Sequence, residues 1–168
     1  MKKLICRLLG VIAILTLAVL LVLLDAHPVM AQENKVNYTY GELRYHDFAN
    51  KDLVGGVFAA ADLVGANFQG ANLSKAIFTK ATLEQANLTE ANLTDALIDR
   101  VSLEGANLTN AIFIDATATS TNFTDAIITG VDFSGAILDR YQTYLLCQRA
   151  DGINPVTSIS TKDSLGCR

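Results

Sequence analysis

The chain has 168 residues, of which 51% are hydrophobic and 18% charged, and its formal net charge is −4. This length suits one domain, the apolar content excludes intrinsic disorder, and the acidic balance excludes a nucleic-acid binder that acts through a basic surface. Three cysteines are too few for a disulfide-dense miniprotein.

The first 31 residues have the order of parts of a secretory signal peptide. A basic start that includes Arg7 precedes an apolar run over 8–24, and Val29-Met30-Ala31 then places small residues at positions −3 and −1 of a cleavage site. We predict cleavage after Ala31, which leaves ten Lys and Arg against sixteen Asp and Glu, a net charge of −6. The alternative is a retained anchor, because 17 residues form a helix of about 26 Å, near the lower limit for crossing a bilayer. Any membrane contact is expected through this uncleaved leader alone.

A period of five residues dominates 41–140, after a lead-in over 32–40 that is too short for a domain and is expected to lie along the first coil. From Leu43 to Leu138, every fifth residue is large and apolar except Ala118. A small residue, most often Ala, stands two positions earlier, and Asn or Asp often lies between them. We call the large residues the core ladder: Leu43, Phe48, Leu53, Phe58, Leu63, Phe68, Leu73, Phe78, Leu83, Leu88, Leu93, Ile98, Leu103, Leu108, Phe113, Phe123, Ile128, Phe133 and Leu138.

The fivefold period fits neither a free helix nor a flat strand. Five residues rotate a helix by 140° beyond a full turn, and an odd period would put successive apolar residues on opposite faces of a strand. A short extended step that turns a corner every five residues satisfies the pattern. Four steps close a square coil of 20 residues, and the 100 residues of 41–140 would stack as five coils about 24 Å tall.

The stretch ADLVGANFQGANL at 61–73 and its continuation resemble the pentapeptide-repeat proteins over 41–140. The resemblance implies an all-β solenoid, a right-handed quadrilateral β-helix, and says little about function. Ala118, where the ladder loses its bulk, predicts a coil that is locally less stable or bulged.

One outward column differs from the other three. Residues 20 apart should stack, and the middle residues of three sides are then mainly polar. On the fourth side they are mainly apolar, which is unusual for an isolated soluble solenoid. The C-terminal tail could cover this side, or it could be an interface with a partner or a second copy. We call this set the apolar column and take it as the candidate interface: Val57, Ile77, Leu97, Thr117 and Ile137.

The C-terminal segment 141–168 loses the fivefold pattern. Residues 141–150 predict a short helix that caps the solenoid, with Asp139 as a possible N-cap and Gly152 as a stop. Cys147 and Cys167 are the pair left after cleavage, and in an exported chain they most simply form a disulfide rather than two free thiols. A leader with this terminal pair resembles thylakoid-lumenal members of the family, and a bacterial periplasm remains the alternative location.

Side chains suited to catalysis are scarce in the mature chain. Its one histidine, His46, occupies a position where the repeat favours a small inward residue, so we expect it to fill the first coil or its rim. No Ser/His/Asp set or Cys/His metal cluster can be assembled around it. We therefore predict no catalytic, metal or cofactor-binding residues and no enzyme activity.

Three functions can be weighed from these features. We favour a non-enzymatic, exported interaction solenoid that binds an unknown protein or a second copy along one side, and no nucleic acid. Some pentapeptide-repeat proteins inhibit topoisomerases by mimicking DNA, but the leader and the thinly spread negative charge disfavour that role. A small enzyme or metal-binding module is the third alternative.

Overall fold

The computed structural model describes residues 35–168, and the predicted leader (1–31) and the start of the lead-in (32–34) lie outside the described residues. The fold is a solenoid-type β-helix held by parallel β-bridges between residues 20 apart, from Asn37↔Val57 to Ile112↔Asp132. Two of its steps are long enough to be strands. These are β1 (Thr117–Ala118) and β2 (Ile137–Leu138), which pair in parallel.

Most corners of the coil are hydrogen-bonded turns. In a typical repeat, the N–H of Ala76 donates to the carbonyl of Leu73 at 3.0 Å. Lys75, immediately before the alanine, has φ of +59°. A positive φ at the third residue is what a type II turn requires. The same residue of every repeat from Tyr40 to Gly135 has a positive φ. Because one such turn separates successive extended steps, the side-chain pattern along the chain repeats every five residues and not every two as in a plain strand.

The interior of the coil is filled by the core ladder and by the small residues that precede it. All ladder residues are buried except Leu43 and Leu138, which are partly buried at the two ends. Phenylalanines one coil apart stack, with ring centroids 4.8 Å apart for Phe48 and Phe68 and 4.9 Å apart for Phe58 and Phe78. Over the described residues, the core is therefore a continuous column of aromatic and aliphatic side chains.

The first coil begins earlier than residue 41. Val36 and Tyr38 pack against the core, and Tyr38 N–H donates to the Val57 carbonyl at 2.7 Å. The Tyr38 ring lies 5.4 Å from Phe58 and 5.7 Å from Phe48. Tyr38 thus occupies a core-ladder position. The sequence pattern counts only aliphatic residues and phenylalanine there, so the predicted coil begins one side later than the observed one.

The ladder interruption at Ala118 does not bulge the coil. Ala118 is fully buried and lies in β1, opposite Leu138 in the same 20-residue register as the other coils. The Thr121 hydroxyl donates to the Ile98 carbonyl one coil away at 2.5 Å. The missing side-chain bulk is therefore accommodated without inserting or removing a residue.

Two helices follow the last coil. The first, α1 (Arg140–Cys147), buries Leu146 against the core. The second, α2 (Thr161–Ser164), is capped by Ser160, whose Oγ accepts from Asp163 N–H. Helix α1 ends before the expected stop at Gly152, because the chain turns so that Arg149 reaches the coil. Asp139 is the N-cap residue of α1, as expected, but its side chain accepts from Ser120 N–H and makes no capping hydrogen bond to the helix. Within residues 35–168, no helix is long and apolar enough to span a membrane.

Gly152 should tolerate alanine much less well than Gly166. Both have a positive φ, +82° and +64°. A Cβ at Gly152 would lie 2.8 Å from the backbone nitrogen of Gly130, whereas one at Gly166 would meet nothing within 4 Å. We expect Gly166→Ala to cost about 1 kcal/mol for its conformation, and Gly152→Ala to cost more because backbone must also move. Urea denaturation of both variants measures the difference; equal midpoints would contradict it.

Candidate functional site: an apolar outward column

The apolar column is built by the alternation of side chains along each short extended step. In the step Ala96-Leu97-Ile98, the first and third residues are buried and Leu97 points outward. Parallel bridges join Val57 to Ile77, Ile77 to Leu97 and Leu97 to Thr117, and Thr117 pairs with Ile137. The five residues therefore stand one above another along one side of the solenoid.

Part of this column is accessible to solvent. Val57, Ile77 and Thr117 are partly buried, whereas Leu97 is 37% exposed and Ile137 is 57% exposed. Neighbouring middle residues lie at the strand spacing of about 4.8 Å, so the five form a nearly continuous ridge about 19 Å long.

The other three outward columns are largely polar and hydrogen-bonded. Asn67 Nδ2 donates to Asp47 Oδ1 at 2.9 Å, and Asn87 Nδ2 donates to Asn67 Oδ1 at 3.0 Å. Two of these three columns contain one isoleucine each, Ile112 and Ile127, and Ile127 is 50% exposed. The columns are Glu42, Asp62, Thr82, Ser102 and Asn122; Asp47, Asn67, Asn87, Asn107 and Ile127; and Asp52, Asn72, Asn92, Ile112 and Asp132.

An acidic corner flanks the apolar column beside Leu97. Asp99 accepts from the Thr119 hydroxyl at 2.7 Å and from Arg100 Nε at 2.6 Å. The hydrogen bond from Thr119, followed by that from Arg100, lowers the pKa of Asp99 below its ordinary value. The carboxylate therefore stays ionised to a lower pH than an ordinary aspartate, and the apolar column has a charged border in this coil.

The C-terminal tail docks elsewhere on the coil. Asn154, fully buried, donates through Nδ2 to the carbonyls of Gly130 at 2.8 Å and Asn110 at 3.0 Å. The Arg149 guanidinium donates to the carbonyls of Phe123, at 2.6 Å, and Ala126. Burial lowers the pKa of Arg149, and nearby Asp125 opposes that effect. None of the hydrogen bonds from residues 148–168 to the coil, as far as the chain is described, ends on the side of the apolar column.

The predicted pairing of Cys147 with Cys167 is confirmed. The two sulfur atoms are bonded, with the Cα atoms 5.6 Å apart. The bond ties the end of α1 to the last residues of the tail. Together with Asn154 and Arg149, it holds the tail against the last coils.

Among the described residues, side chains suited to catalysis or metal binding do not gather at the apolar column. His46 is exposed on the rim of the first coil, with its ring 4.5 Å from that of Phe48. Over residues 35–168, no group of three or more His, Cys, Asp or Glu side chains is placed to hold a metal ion. What the column can do is bury apolar surface against another molecule.

The family model for pentapeptide repeats matches this chain with eight copies, over residues 47–79, 57–95 and 102–140. These matches cover more than half of the sequence. The chain belongs to the pentapeptide repeat family. Pentapeptide repeat proteins are generally structural or interaction proteins, and no catalytic family is indicated.

Two solved pentapeptide repeat proteins resemble this one. The first, from the thylakoid lumen of Arabidopsis thaliana, is 38% identical, with a TM-score of 0.74 over 76% of this chain and 88% of its own. The second, from Nostoc, is 30% identical, with a TM-score of 0.52 over 63% of this chain and 87% of its own.

A curated thylakoid lumenal protein of Arabidopsis thaliana is also related. It is 50% identical over 38 residues, which are 23% of this chain and 14% of that protein. The matched part is thus a small fraction of the relative. A lumenal or exported location is therefore indicated for this pentapeptide repeat protein by two relatives, one of them matched over most of its length.

Sequence reasoning missed the two residues that dock the tail. Arg149 and Asn154 lie outside the repeat, and each acts by donating to main-chain carbonyls of the coil. Every residue has a main-chain carbonyl, so the residue types of the acceptors carry no information about these hydrogen bonds. No sequence motif could therefore predict which carbonyls the two side chains bind. The weak signal available was Asn154 before Pro155, a combination typical of turns.

Proposed function

We propose that this protein is a non-enzymatic scaffold of the thylakoid lumen that binds a protein partner along the apolar column. The observation that carries the proposal is the exposure of Leu97 and Ile137 on a side where the docked tail makes no hydrogen bond to the coil. Burying such a strip against a complementary surface is favourable by about 25 cal/mol per Å² of apolar area.

The lumenal part of the proposal rests on the two Arabidopsis thaliana relatives and on the predicted leader. A cleavable leader delivers the chain across a membrane, and a disulfide persists in an oxidising compartment. The rigid repeat suits a scaffold, because a right-handed quadrilateral coil of about five turns would present its outward residues in a fixed array.

A photo-crosslinking residue placed at Leu97 tests the binding side. We expect it to capture one discrete partner in the native compartment, whereas the same residue at Asn107, on a polar column, captures much less. Ile77→Asp together with Leu97→Asp should abolish complex formation without unfolding the coil, since both side chains point outward. Equal crosslinking from the two positions, or an intact complex in the double variant, would refute the binding side.

Fractionation of the cells, with protease protection of the mature chain, tests location separately. We expect a chain that starts at Gln32 and is protected until the thylakoid membrane is opened. A chain degraded before that step would refute the lumenal location and leave the binding side to be judged on its own.

A further inference from the structure

One corner beside the apolar column carries charges in a simple order. The corner residues that stand two positions before Ile77, Leu97 and Thr117 are a lysine and two aspartates, and all three are exposed. Lys35 adds a fourth charge, because a Cβ placed at Gly55 would lie 2.8 Å from the Lys35 Nζ, which therefore occupies the level of Gly55. From the N-terminal to the C-terminal end, the order is positive, positive, negative, negative. We call these residues the corner charges: Lys35, Lys75, Asp95 and Asp115.

This order is unfavourable within a single molecule. Asp95 and Asp115 belong to adjacent coils, and so do Lys75 and Gly55, over which Lys35 lies, so like charges follow one another at the strand spacing of about 4.8 Å. Like charges on neighbouring strands are destabilising. Within residues 35–168, none of the four corner charges forms an ion pair. Opposite charges supplied by a second molecule would relieve this repulsion.

The order of the corner charges is complementary to itself when it is reversed. A second copy that packs face to face on the apolar column, turned end for end, is related to the first by a two-fold axis across the column. The same corner of both copies then lies on the same border of the contact. With the axis midway along the column, Lys75 stands opposite Asp95 of the second copy, and Lys35 stands opposite Asp115 of the second copy. The symmetry repeats both pairs, so four pairs of opposite charges face one another.

The side chains of the apolar column match in the same register. The parallel bridges continue the column to Asn37, so it has six levels, and its midpoint lies between the third and the fourth. Each level then faces one level of the second copy, and four of the six levels place an apolar residue against another outward residue of the column itself. The opposed pairs are Ile77 with Leu97, Val57 with Thr117, and Ile137 with Asn37.

A second copy that keeps the same direction fits less well. Its opposite corner would then meet the corner charges, which places Lys75 near Lys80 of the second copy and Asp95 near Asp99 of the second copy. Both contacts oppose like charges. In the reversed arrangement, Asp99 instead stands opposite Thr79, which carries no charge. Charge therefore selects the antiparallel arrangement over the parallel one.

We propose that the partner of the apolar column is a second copy of this chain, packed face to face and antiparallel, with the corner charges setting the register. This inference rests on the proposed function, because it uses the same binding side. The column is about 19 Å long and, at three extended residues, roughly 10 Å wide, far below the roughly 800 Å² per partner of a standard interface. We therefore expect a weak, reversible dimer whose arrangement depends on charge.

Charge reversal tests the register. In light scattering, the molar mass of the parent mature chain should rise toward that of a dimer between about 10 μM and about 1 mM, and added salt should weaken association. Lys75→Glu and Asp95→Lys each create two pairs of like charges across the contact, so each variant alone should associate about tenfold more weakly. Mixed in equal amounts, the two variants should form a heterodimer as strong as the parent dimer, because each supplies the charges that the other lacks.

Matched variants separate the register from net charge. Lys162→Glu, on α2, and Glu90→Lys, at the same turn position of a different corner, make the same changes of charge away from the column and should associate like the parent. A photo-crosslinking residue at Val57 should join the peptide that contains Thr117 of the second copy, whereas a parallel pair would join position 57 to itself. Circular dichroism of every variant establishes that the coil is folded.

The failure of this proposal is distinct from the failure of the proposed function. A parent chain that stays monomeric to about 1 mM, single variants that associate like the parent, or a mixture that does not recover association would each overturn the second copy as the partner. Capture of a different protein from position 97 in the native compartment would still support the binding side in those cases. A dimer that survives Ile77→Asp with Leu97→Asp would also overturn the proposal, because the contact would then lie elsewhere.

Discussion

Replacing Phe78 by alanine should lower the free energy of unfolding by about 3–5 kcal/mol, the usual cost of deleting a buried phenylalanine. Phe78 is fully buried; its ring stacks on Phe58 at 4.9 Å and meets Phe68 edge-on at 5.9 Å. The cavity cannot easily collapse, because the coils above and below are held in register by main-chain bonds such as that from Phe78 N–H to the Leu97 carbonyl.

Urea denaturation followed by circular dichroism gives the size of this effect. The matched control is Ile77→Ala, one residue earlier, whose side chain points outward and is only partly buried. Its loss should be much smaller. Because a solenoid is stabilised by contacts between neighbouring repeats, the Phe78 variant should also unfold less cooperatively. A loss below about 1 kcal/mol, or one equal to that of the control, would show that the ring does not fill the core.

Replacing both Cys147 and Cys167 by serine should destabilise the docked tail by about 3 kcal/mol, the chain-entropy value for a loop of this length. The bond spans 20 residues and closes the segment that carries Arg149 and Asn154. Without it, only noncovalent contacts hold the tail, among them the hydrogen bonds of those two side chains and the one from Gly130 N–H to the Asp151 carbonyl. The body of the coil should keep its hydrogen bonds, because its bridges lie between coils and do not involve the tail.

Amide hydrogen exchange distinguishes these two regions. We expect faster exchange across residues 152–167 in the serine variant and unchanged protection in the central coils. Adding a reductant to the parent protein should reproduce the pattern, which controls for the substitutions themselves. Identical exchange in the oxidised and serine forms would mean that hydrogen bonds alone dock the tail.

The solenoid could be predicted from the sequence because its spacing is enforced by local geometry. A turn with a positive φ at its third residue recurs every five residues, and only a coil of short extended steps can keep Leu and Phe inward at that spacing. The same reasoning assigned the outward residues to four sides, since the 20-residue register follows from four steps per coil. The beginning at Val36 was missed because Tyr38 is not a residue type that the pattern includes.

The sequence by itself therefore determined that this is a pentapeptide-repeat solenoid and predicted its terminal disulfide, while the exported-type leader stays a prediction. These features are periodic or local, so neighbouring residues specify them. Only the tertiary structure decided where the tail lies and which outward residues remain exposed. Those depend on bonds between a side chain such as Asn154 and main-chain carbonyls more than 20 residues away, and a main-chain carbonyl is the same in every residue type.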